Sequence, residues 1–143
     1  MFSLRTFVET HKAPYVLTHM DAVPDNFLFH LADGEEKLQL TDWEYAAMQD
    51  PHIDIAMFCC YSEYTKAHTD HLIDLYFSGE ICSRETRAKI YCYIAAAGLL
   101  WSNWCEYKRQ MGVEFGEYAD CQYECAKTYY EIAAQEIGRL KEG

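Results

Sequence analysis

Three side chains near the start of the chain have types and spacing that could move a proton beside a metal ion. His19, Asp21 and Asn26 lie in the stretch THMDAVPDN, residues 18–26. A carboxylate can orient an acceptor hydroxyl and take its proton, and an amide oxygen a few residues later can reach a metal ion on phosphates. Asp21 is therefore the candidate base and Asn26 the candidate metal ligand. The alternative is that both are ordinary turn residues.

Two more acidic stretches follow in chain order. TDWEY, residues 41–45, places Asp42 directly after a β-prone run, with Glu44 two residues later. DPHIDIA, residues 50–56, places Asp54 at the start of a predicted helix. Because a predicted hairpin separates the first stretch from the second, the three stretches can converge on one site.

The three stretches, in this order, resemble the choline/ethanolamine kinase family, most closely its bacterial choline kinases, within the superfamily of aminoglycoside phosphotransferases and protein kinases. The matching patterns are HxDxxxxN, DWEY and DPxxDIA. The resemblance implies transfer of the γ-phosphoryl group of ATP to an amino-alcohol hydroxyl, with Asp21 as base and Asn26 and Asp42 as Mg²⁺ ligands. It also implies that Asp54 accepts backbone N–H groups of the catalytic loop. His19 organises that loop in this interpretation.

Aromatic side chains predict the substrate class. Trp101 and Trp104 are three residues apart on a predicted helix and so share one face, and Tyr45 follows the TDWE stretch directly. A quaternary ammonium forms no conventional hydrogen bond, and each aromatic face contributes about 0.5–2 kcal/mol to its binding. The three rings therefore predict a cage for choline or a related amino alcohol. The alternative for the tryptophans is core packing.

The family resemblance also indicates where further substrate-binding residues lie. It places additional cage tyrosines near Tyr118, and Tyr61 and Tyr64 are further candidates. Glu44 is either a second acidic group near the metal and substrate or a solvated charge. Both readings of Glu44 stay open from the sequence.

Periodicity and turn signals predict the elements that position these residues. Apolar spacing predicts a short helix ending before Pro14, helices near 55–64 and 69–77, a long helix after Ser83 as N-cap, and a helix near 115–140. Runs at 27–29 and 38–40 around an Asp-Gly signal predict a hairpin. The fold class is mainly α with a small β-hairpin, a single kinase-like C-terminal lobe over 1–143. Residues 1–56 carry the catalytic loop, hairpin and metal-binding segment, and residues 57–143 form the helical substrate-binding part.

The resemblance covers only the C-terminal half of the family's fold. Kinase-like enzymes use an N-terminal lobe with a strand-borne lysine and a loop over the phosphates, and only Lys12 precedes the catalytic loop here. We therefore expect the missing N-terminal lobe to be a required partner and this chain alone to have little or no kinase activity. The alternatives are a phosphotransferase for an aminoglycoside or another amino alcohol, and a non-catalytic binding module that retains the fold.

Charge and composition exclude other classes. Twelve basic against 23 acidic residues give a net charge of −11, which disfavours nucleic-acid and anionic-membrane partners and suits a cationic substrate. The longest apolar run, Ile90–Trp101, is too short to span a bilayer. Seven cysteines without metal-ligand spacing predict reduced core thiols and a cytoplasmic location.

Two predictions concern the surface. Apolar surface left by a missing lobe predicts a possible homodimer. The remaining histidines show no convergence on a metal site and are expected at the surface: His11, His30, His52, His68 and His71.

Overall fold

The computed structural model describes residues 2–142 and is mainly helical; Met1 and Gly143, which the predicted domain includes, lie outside the described residues. Two two-stranded antiparallel sheets interrupt the helices near the start. The elements in chain order are α1 (Phe2–Thr10), β1 (Val16–Thr18), β2 (Phe27–Ala32), β3 (Glu35–Leu40), β4 (Ala47–Gln49), α2 (His52–Tyr61), α3 (Lys66–Tyr76), α4 (Arg84–Arg109) and α5 (Tyr118–Glu142).

The predicted hairpin is confirmed. Strands β2 and β3 pair in antiparallel register from Phe27 opposite Leu40 to Ala32 opposite Glu35. Asp33 and Gly34 at the turn both have positive φ, 57° and 80°, as the tight hairpin turns of twisted strands require. One strand was missed: β4, whose three residues Ala-Met-Gln carry no clear β signal, pairs with β1.

The long helices form the core, and they confirm the helices predicted from apolar periodicity. Ser83 caps α4 as predicted, since its Oγ accepts the Thr86 backbone N–H at 3.1 Å. Helices α4 and α5 pack so closely at Gly98 that a Cβ atom there would lie 2.7 Å from the Gln122 carbonyl oxygen. Ile90 and Ile94 of α4 are completely buried in this core. The resulting rigid pair of helices supports the loops of the first third of the chain.

A buried ion pair ties the start of the chain to α4. The Lys89 ammonium lies 2.7 Å from Asp50 Oδ2 and donates to the His11 carbonyl at 2.9 Å. Asp50 also accepts the Ala13 backbone N–H at 2.9 Å. His52 donates to Asp50 through its ring and its backbone, at 2.9 and 3.0 Å. The prediction of a surface position for His52 is therefore wrong: its side chain completes the partners of a buried carboxylate.

The cysteines fit the predicted thiol state. All seven cysteines are free; Cys59, Cys60, Cys92 and Cys105 are buried, and the other three are half-buried. Between residues 2 and 142, no helix combines the length and apolar character needed to cross a bilayer.

Candidate active site

The loop between β1 and β2 is hydrogen-bonded to the first turn of α2. Asp54 accepts the His19 backbone N–H at Oδ2 and the Met20 backbone N–H at Oδ1, both at 2.9 Å. Met20 has φ of 67°, a left-handed conformation that is uncommon for residues other than glycine and tends to occur at functional sites. Two charge-assisted hydrogen bonds thus fix the backbone immediately before Asp21.

Asp21 and Asn26 lie close together across this loop. The Asn26 amide donates from Nδ2 to the Asp21 backbone carbonyl at 2.9 Å and lies 3.5 Å from Asp21 Oδ2. This contact commits the nitrogen end of the amide to the loop. The Asn26 oxygen receives no hydrogen bond from residues 2–142 and is the end of the amide that could bind a cation.

The hairpin brings Asp42 back to the same place. Asn26 immediately precedes β2 and Asp42 follows β3 by two residues. Thr41 donates to the Asn26 carbonyl from its backbone nitrogen at 2.9 Å and from its hydroxyl at 3.2 Å. Asp42 itself is exposed and has φ of 63°. The two residues with left-handed backbone in this part of the site are therefore Met20, which precedes the candidate base, and Asp42, the candidate metal ligand.

His19 is a buried link between the loop and the end of the hairpin. Its Nε2 lies 2.7 Å from the Thr41 carbonyl oxygen, and because a carbonyl only accepts, Nε2 carries the proton. The Trp43 ring packs edge-on against the imidazole with centroids 4.8 Å apart. These contacts position Thr41, which precedes Asp42, and they leave the imidazole inaccessible to solvent.

Tyr45 and Glu44 lie at the exposed side of the acidic site. The Tyr45 side chain is 59% exposed. The charge of Glu44 raises the pKa of the Tyr45 hydroxyl above its ordinary value, and Asp21 and Asp42 add smaller contributions of the same sign. An aromatic ring therefore lies within the combined negative field of three carboxylates, which is a favourable place for a cation.

Tyr61 connects the loop that carries Asp21 to the tryptophan pair of α4, a contact that the sequence did not predict. Its hydroxyl donates to Asp21 Oδ1 at 2.9 Å, and its ring centroid lies 5.3 Å from that of Trp101. Burial raises the pKa of Tyr61 well above its ordinary range, and the hydrogen bond to Asp21 adds to this effect. A sequence signal for this arrangement exists, since Asp54 and Tyr61 are seven residues apart and so lie on one face of α2.

The predicted tryptophan pair is brought together on α4. The rings of Trp101 and Trp104 meet edge to face with centroids 5.4 Å apart, and Trp104 also packs against Phe115 at 5.4 Å. Trp104 is 40% exposed, so its ring is not a core residue. The Lys108 ammonium lies 5.5 Å from the Trp104 centroid, which shows that this ring can be approached by a cation.

Tyr118 begins α5 beside this aromatic surface. Its side chain is half-buried, and burial raises the pKa of its hydroxyl; Asp21 is among the charges that add to the shift. The Tyr118 hydroxyl is thus within the electrostatic reach of the candidate base.

The donor set at the loop is compatible with Mg²⁺. Magnesium prefers oxygen ligands and is commonly held by one or two protein groups together with substrate phosphates and water. The Asn26 oxygen and the Asp42 carboxylate, which accepts no hydrogen bond within residues 2–142, are donors of this kind. In the same part of the chain no group of three or more His, Cys, Asp or Glu side chains could hold a metal by itself. The site therefore suits a metal ion that arrives with phosphates.

Comparison with known proteins places this geometry in a family. Residues 4–91 match the model of the phosphotransferase enzyme family. The chain is 31% identical to Protein LicA of Haemophilus influenzae over 108 residues, 71% of this chain and 38% of that protein. It superposes with a TM-score of 0.78 and 25% identity on a choline/ethanolamine kinase family protein from Mesorhizobium loti, covering 99% of this chain and 49% of that one. For choline kinase LicA from Streptococcus pneumoniae the TM-score is 0.71 and the identity 32%, over 90% of this chain and 44% of that one.

The chain thus spans between about two fifths and one half of the length of these relatives. The family match covers more than half of the chain and includes the loop, the hairpin and α2. The chain belongs to the phosphotransferase enzyme family, and its fold is that of choline kinase-like enzymes.

Proposed function

We propose that this chain is the catalytic-loop and substrate-binding part of an ATP-dependent kinase that phosphorylates the hydroxyl of choline or a related amino alcohol. In this proposal Asp21 orients the acceptor hydroxyl and takes its proton as the oxygen–phosphorus bond forms. Asp54 holds the loop through its two backbone hydrogen bonds. His19 acts by positioning Thr41, since the Nε2 proton of its buried ring is committed to that carbonyl.

Asn26 and Asp42 are the residues that would hold Mg²⁺. The bound ion would offset the negative charge of the nucleotide phosphates during transfer. The hydrogen bonds from Thr41 to the Asn26 carbonyl keep the two donors at one end of the hairpin, so the chain supplies a prearranged pair of oxygen ligands.

The cation of the substrate would be held by aromatic faces and by the surrounding negative charge. We assign this role to Tyr45, Trp101 and Trp104, with Tyr118 and Glu44 at the edge of the site. Three aromatic faces of about 0.5–2 kcal/mol each are sufficient for binding in the millimolar to micromolar range.

The observation that carries the proposal is the unbroken contact from the candidate base to the tryptophan pair. Asp21 bonds to Tyr61, Tyr61 packs on Trp101, and Trp101 packs on Trp104. Amino alcohols such as choline carry a hydroxyl and a cationic group a few bonds apart, and this arrangement offers a partner to each. An aminoglycoside, by contrast, presents several ammonium groups that call for several carboxylates.

We further propose that a nucleotide-covering lobe docks against the two small sheets. Their strands expose large apolar side chains: Leu17, Leu28, Phe29, Leu31, Leu38 and Met48. Exposed apolar surface of this extent is typical of an interaction surface. The chain alone is therefore expected to bind the cation but to form no phosphocholine from ATP at rates typical of kinases.

Calorimetric titration of the purified chain tests the substrate class. The ligands are choline, ethanolamine, the uncharged isostere 3,3-dimethylbutan-1-ol and an aminoglycoside. We expect saturable binding of choline, weaker binding of the neutral isostere, and a loss of about tenfold or more in choline affinity in Trp104→Leu. Trp43→Phe is the matched control, because Trp43 packs on His19 and donates from Nε1 to the Leu40 carbonyl.

Three outcomes would redirect the proposal. Equal binding of choline and its neutral isostere would refute a cation site. Tight aminoglycoside binding that is unaffected in Trp104→Leu would favour the aminoglycoside alternative. Cation binding without any Mg²⁺-dependent response to ATP, also when a nucleotide-covering lobe is added, would favour a non-catalytic binding module.

A further inference from the structure

We propose that Tyr61 is a positioning residue that holds one oxygen of Asp21, so that the other oxygen faces the acceptor hydroxyl. This inference rests on the proposed function and deepens it. The donor is the phenol, because Asp21 Oδ1 lies 2.9 Å from the Tyr61 hydroxyl and a carboxylate only accepts. Oδ2 has one weaker neighbour, the Asn26 amide nitrogen at 3.5 Å.

The surroundings of Tyr61 make this contact rigid. Tyr61 is the last residue of α2, the helix whose first turn carries Asp54 and thereby holds the loop before Asp21. The ring is half-buried against Trp101 at a centroid distance of 5.3 Å. One helix therefore fixes the backbone of the loop at one end and the carboxylate orientation at the other.

The same contact couples the two halves of the substrate site. A shift of Trp101 on cation binding would move the ring that packs on it, and the phenol of that ring bonds to the base. Without the phenol, the Asp21 carboxylate would be free to rotate about its side-chain torsions, and its hydrogen bond to the substrate hydroxyl would lose the benefit of prior orientation.

Comparing the binding of two cations distinguishes the positioning role of Tyr61 from a role in packing alone. Choline and ethyltrimethylammonium share the trimethylammonium group, and only choline has the hydroxyl. In the unchanged chain we expect a preference of about tenfold for choline, the value of a hydrogen bond to a charged group. In Tyr61→Phe the ring remains against Trp101, so ethyltrimethylammonium affinity should stay within about twofold while the preference for choline falls to about twofold or less.

Tyr64→Phe is the matched control. Tyr64, a cage candidate from the sequence, lies three residues further along, and its ring packs on Phe58 and His68. Within residues 2–142 it makes no ring contact with Trp101 or Trp104, so the structure does not bring this candidate into the cation site. Its phenol makes no hydrogen bond within residues 2–142. Tyr64→Phe should keep the tenfold preference, and circular dichroism should show that both variants are folded.

A measurement without ligand tests the positioning role of Tyr61 separately from the proposed cation binding. The side-chain NH₂ signals of Asn26 report on Asp21, to which that amide donates. In nuclear magnetic resonance spectra, Tyr61→Phe should shift or broaden these signals, and Tyr64→Phe should leave them in place.

If the unchanged chain binds the cations, an undiminished preference for choline in Tyr61→Phe overturns the positioning role, and a loss of that preference supports it. If the unchanged chain binds neither cation, the proposed substrate class fails. The Asn26 signals then decide the Tyr61 role alone: altered signals support it, and unchanged signals overturn it.

Discussion

Two pairs of aspartates lie within a short stretch of this chain, and the fold uses them differently. The carboxylate oxygens of Asp50 and Asp54 accept hydrogen bonds from the protein itself. Asp50 accepts from Lys89, from the ring and backbone of His52 and from the Ala13 backbone N–H. Asp54 accepts from two backbone N–H groups. Asp21 lies half-buried in the β1–β2 loop, and Asp42 is exposed in the β3–β4 loop. Asp42 accepts no hydrogen bond within residues 2–142, and Asp21 Oδ2 has only the 3.5 Å contact to Asn26.

The difference separates stabilising carboxylates from reactive ones. A carboxylate whose acceptor sites are filled by the fold contributes to stability and has nothing left for a ligand. A carboxylate with unfilled acceptor sites adds little to stability and can bind a metal ion or accept a proton. Changes to the first pair should therefore affect unfolding, and changes to the second pair should affect binding and chemistry.

The largest effect is expected when the buried ion pair is broken. Lys89→Met leaves Asp50 as a buried charge without its cation, which should lower the free energy of unfolding by about 3–5 kcal/mol. Urea denaturation measures the change. Lys127→Met is the control, because Lys127 and Glu124 form an exposed pair at 2.6 Å, and its loss should leave the unfolding free energy nearly unchanged since both charges are solvated. Equal losses in the two variants would contradict the structural role of the Lys89 pair.

Asp54→Asn and Asp21→Asn compare the two kinds of aspartate directly. In Asp54→Asn one oxygen becomes an NH₂ group facing a backbone N–H, so we expect a loss of about 1–3 kcal/mol and faster hydrogen exchange at His19 and Met20. Asp21→Asn should change the unfolding free energy by about 1 kcal/mol or less. The distinction would fail if Asp21→Asn destabilised the chain as much as Asp54→Asn.

Lowering the pH should reduce the free energy of unfolding in two steps, one from His52 and one from Asp50. Burial lowers the pKa of His52 below its ordinary value of 6.5, and the charge of Lys89 acts in the same direction. As pH falls, His52 is therefore protonated in the unfolded chain before it is protonated in the folded one. Its contribution to stability is fully present above about pH 6.5 and declines below that pH, by at most about 1.4 kcal/mol per pH unit. His52→Asn should have a shallower decline between pH 7 and 5, and an unchanged slope would exclude His52 as its source.

Asp50 governs the second step. Burial alone would raise its pKa, but the hydrogen bonds from Lys89 and from the Ala13 and His52 backbones outweigh burial and leave the pKa below its ordinary value of 3.8. Its contribution to stability is therefore present above about pH 3.8 and is lost as pH falls further, toward the lowered value. Denaturation curves below pH 4 measure this loss, which should be smaller in a variant that lacks the Asp50 carboxylate; the pKa of Asp70 is also lowered, so part of the acid sensitivity should remain.

The smallest stability effect is expected at Asp42. Asp42→Asn replaces an exposed side chain whose backbone has φ of 63°, a conformation that asparagine also tolerates, so the unfolding free energy should change by about 0.5 kcal/mol or less. Any Mg²⁺-dependent binding of ATP by the chain, alone or with an added lobe, should fall strongly in the same variant. Unaltered Mg²⁺ dependence would remove Asp42 from the metal site.

Much of the fold followed from local signals. The Asp-Gly turn, the Ser83 cap and the apolar periodicity predicted the hairpin and the main helices, because each of these signals acts within a few residues. Strand β4 was missed since its three residues gain their β conformation from pairing with β1 rather than from their own propensity. The surface prediction for His52 failed for a similar reason: its burial depends on packing against Tyr76 and Phe77, 24 and 25 positions away in sequence.

The sequence by itself determined which residue types are present, their order and their spacing, and these were sufficient for the family and for the candidate base, metal ligands and tryptophan pair. Tertiary structure decided which carboxylates are hydrogen-bonded by the fold and which stay available, because their partners are distant in sequence: Lys89 of α4 contacts Asp50, and Tyr61 of α2 contacts Asp21. The contact of Tyr61 with both Asp21 and Trp101 exists only once α2 lies between the loop and α4.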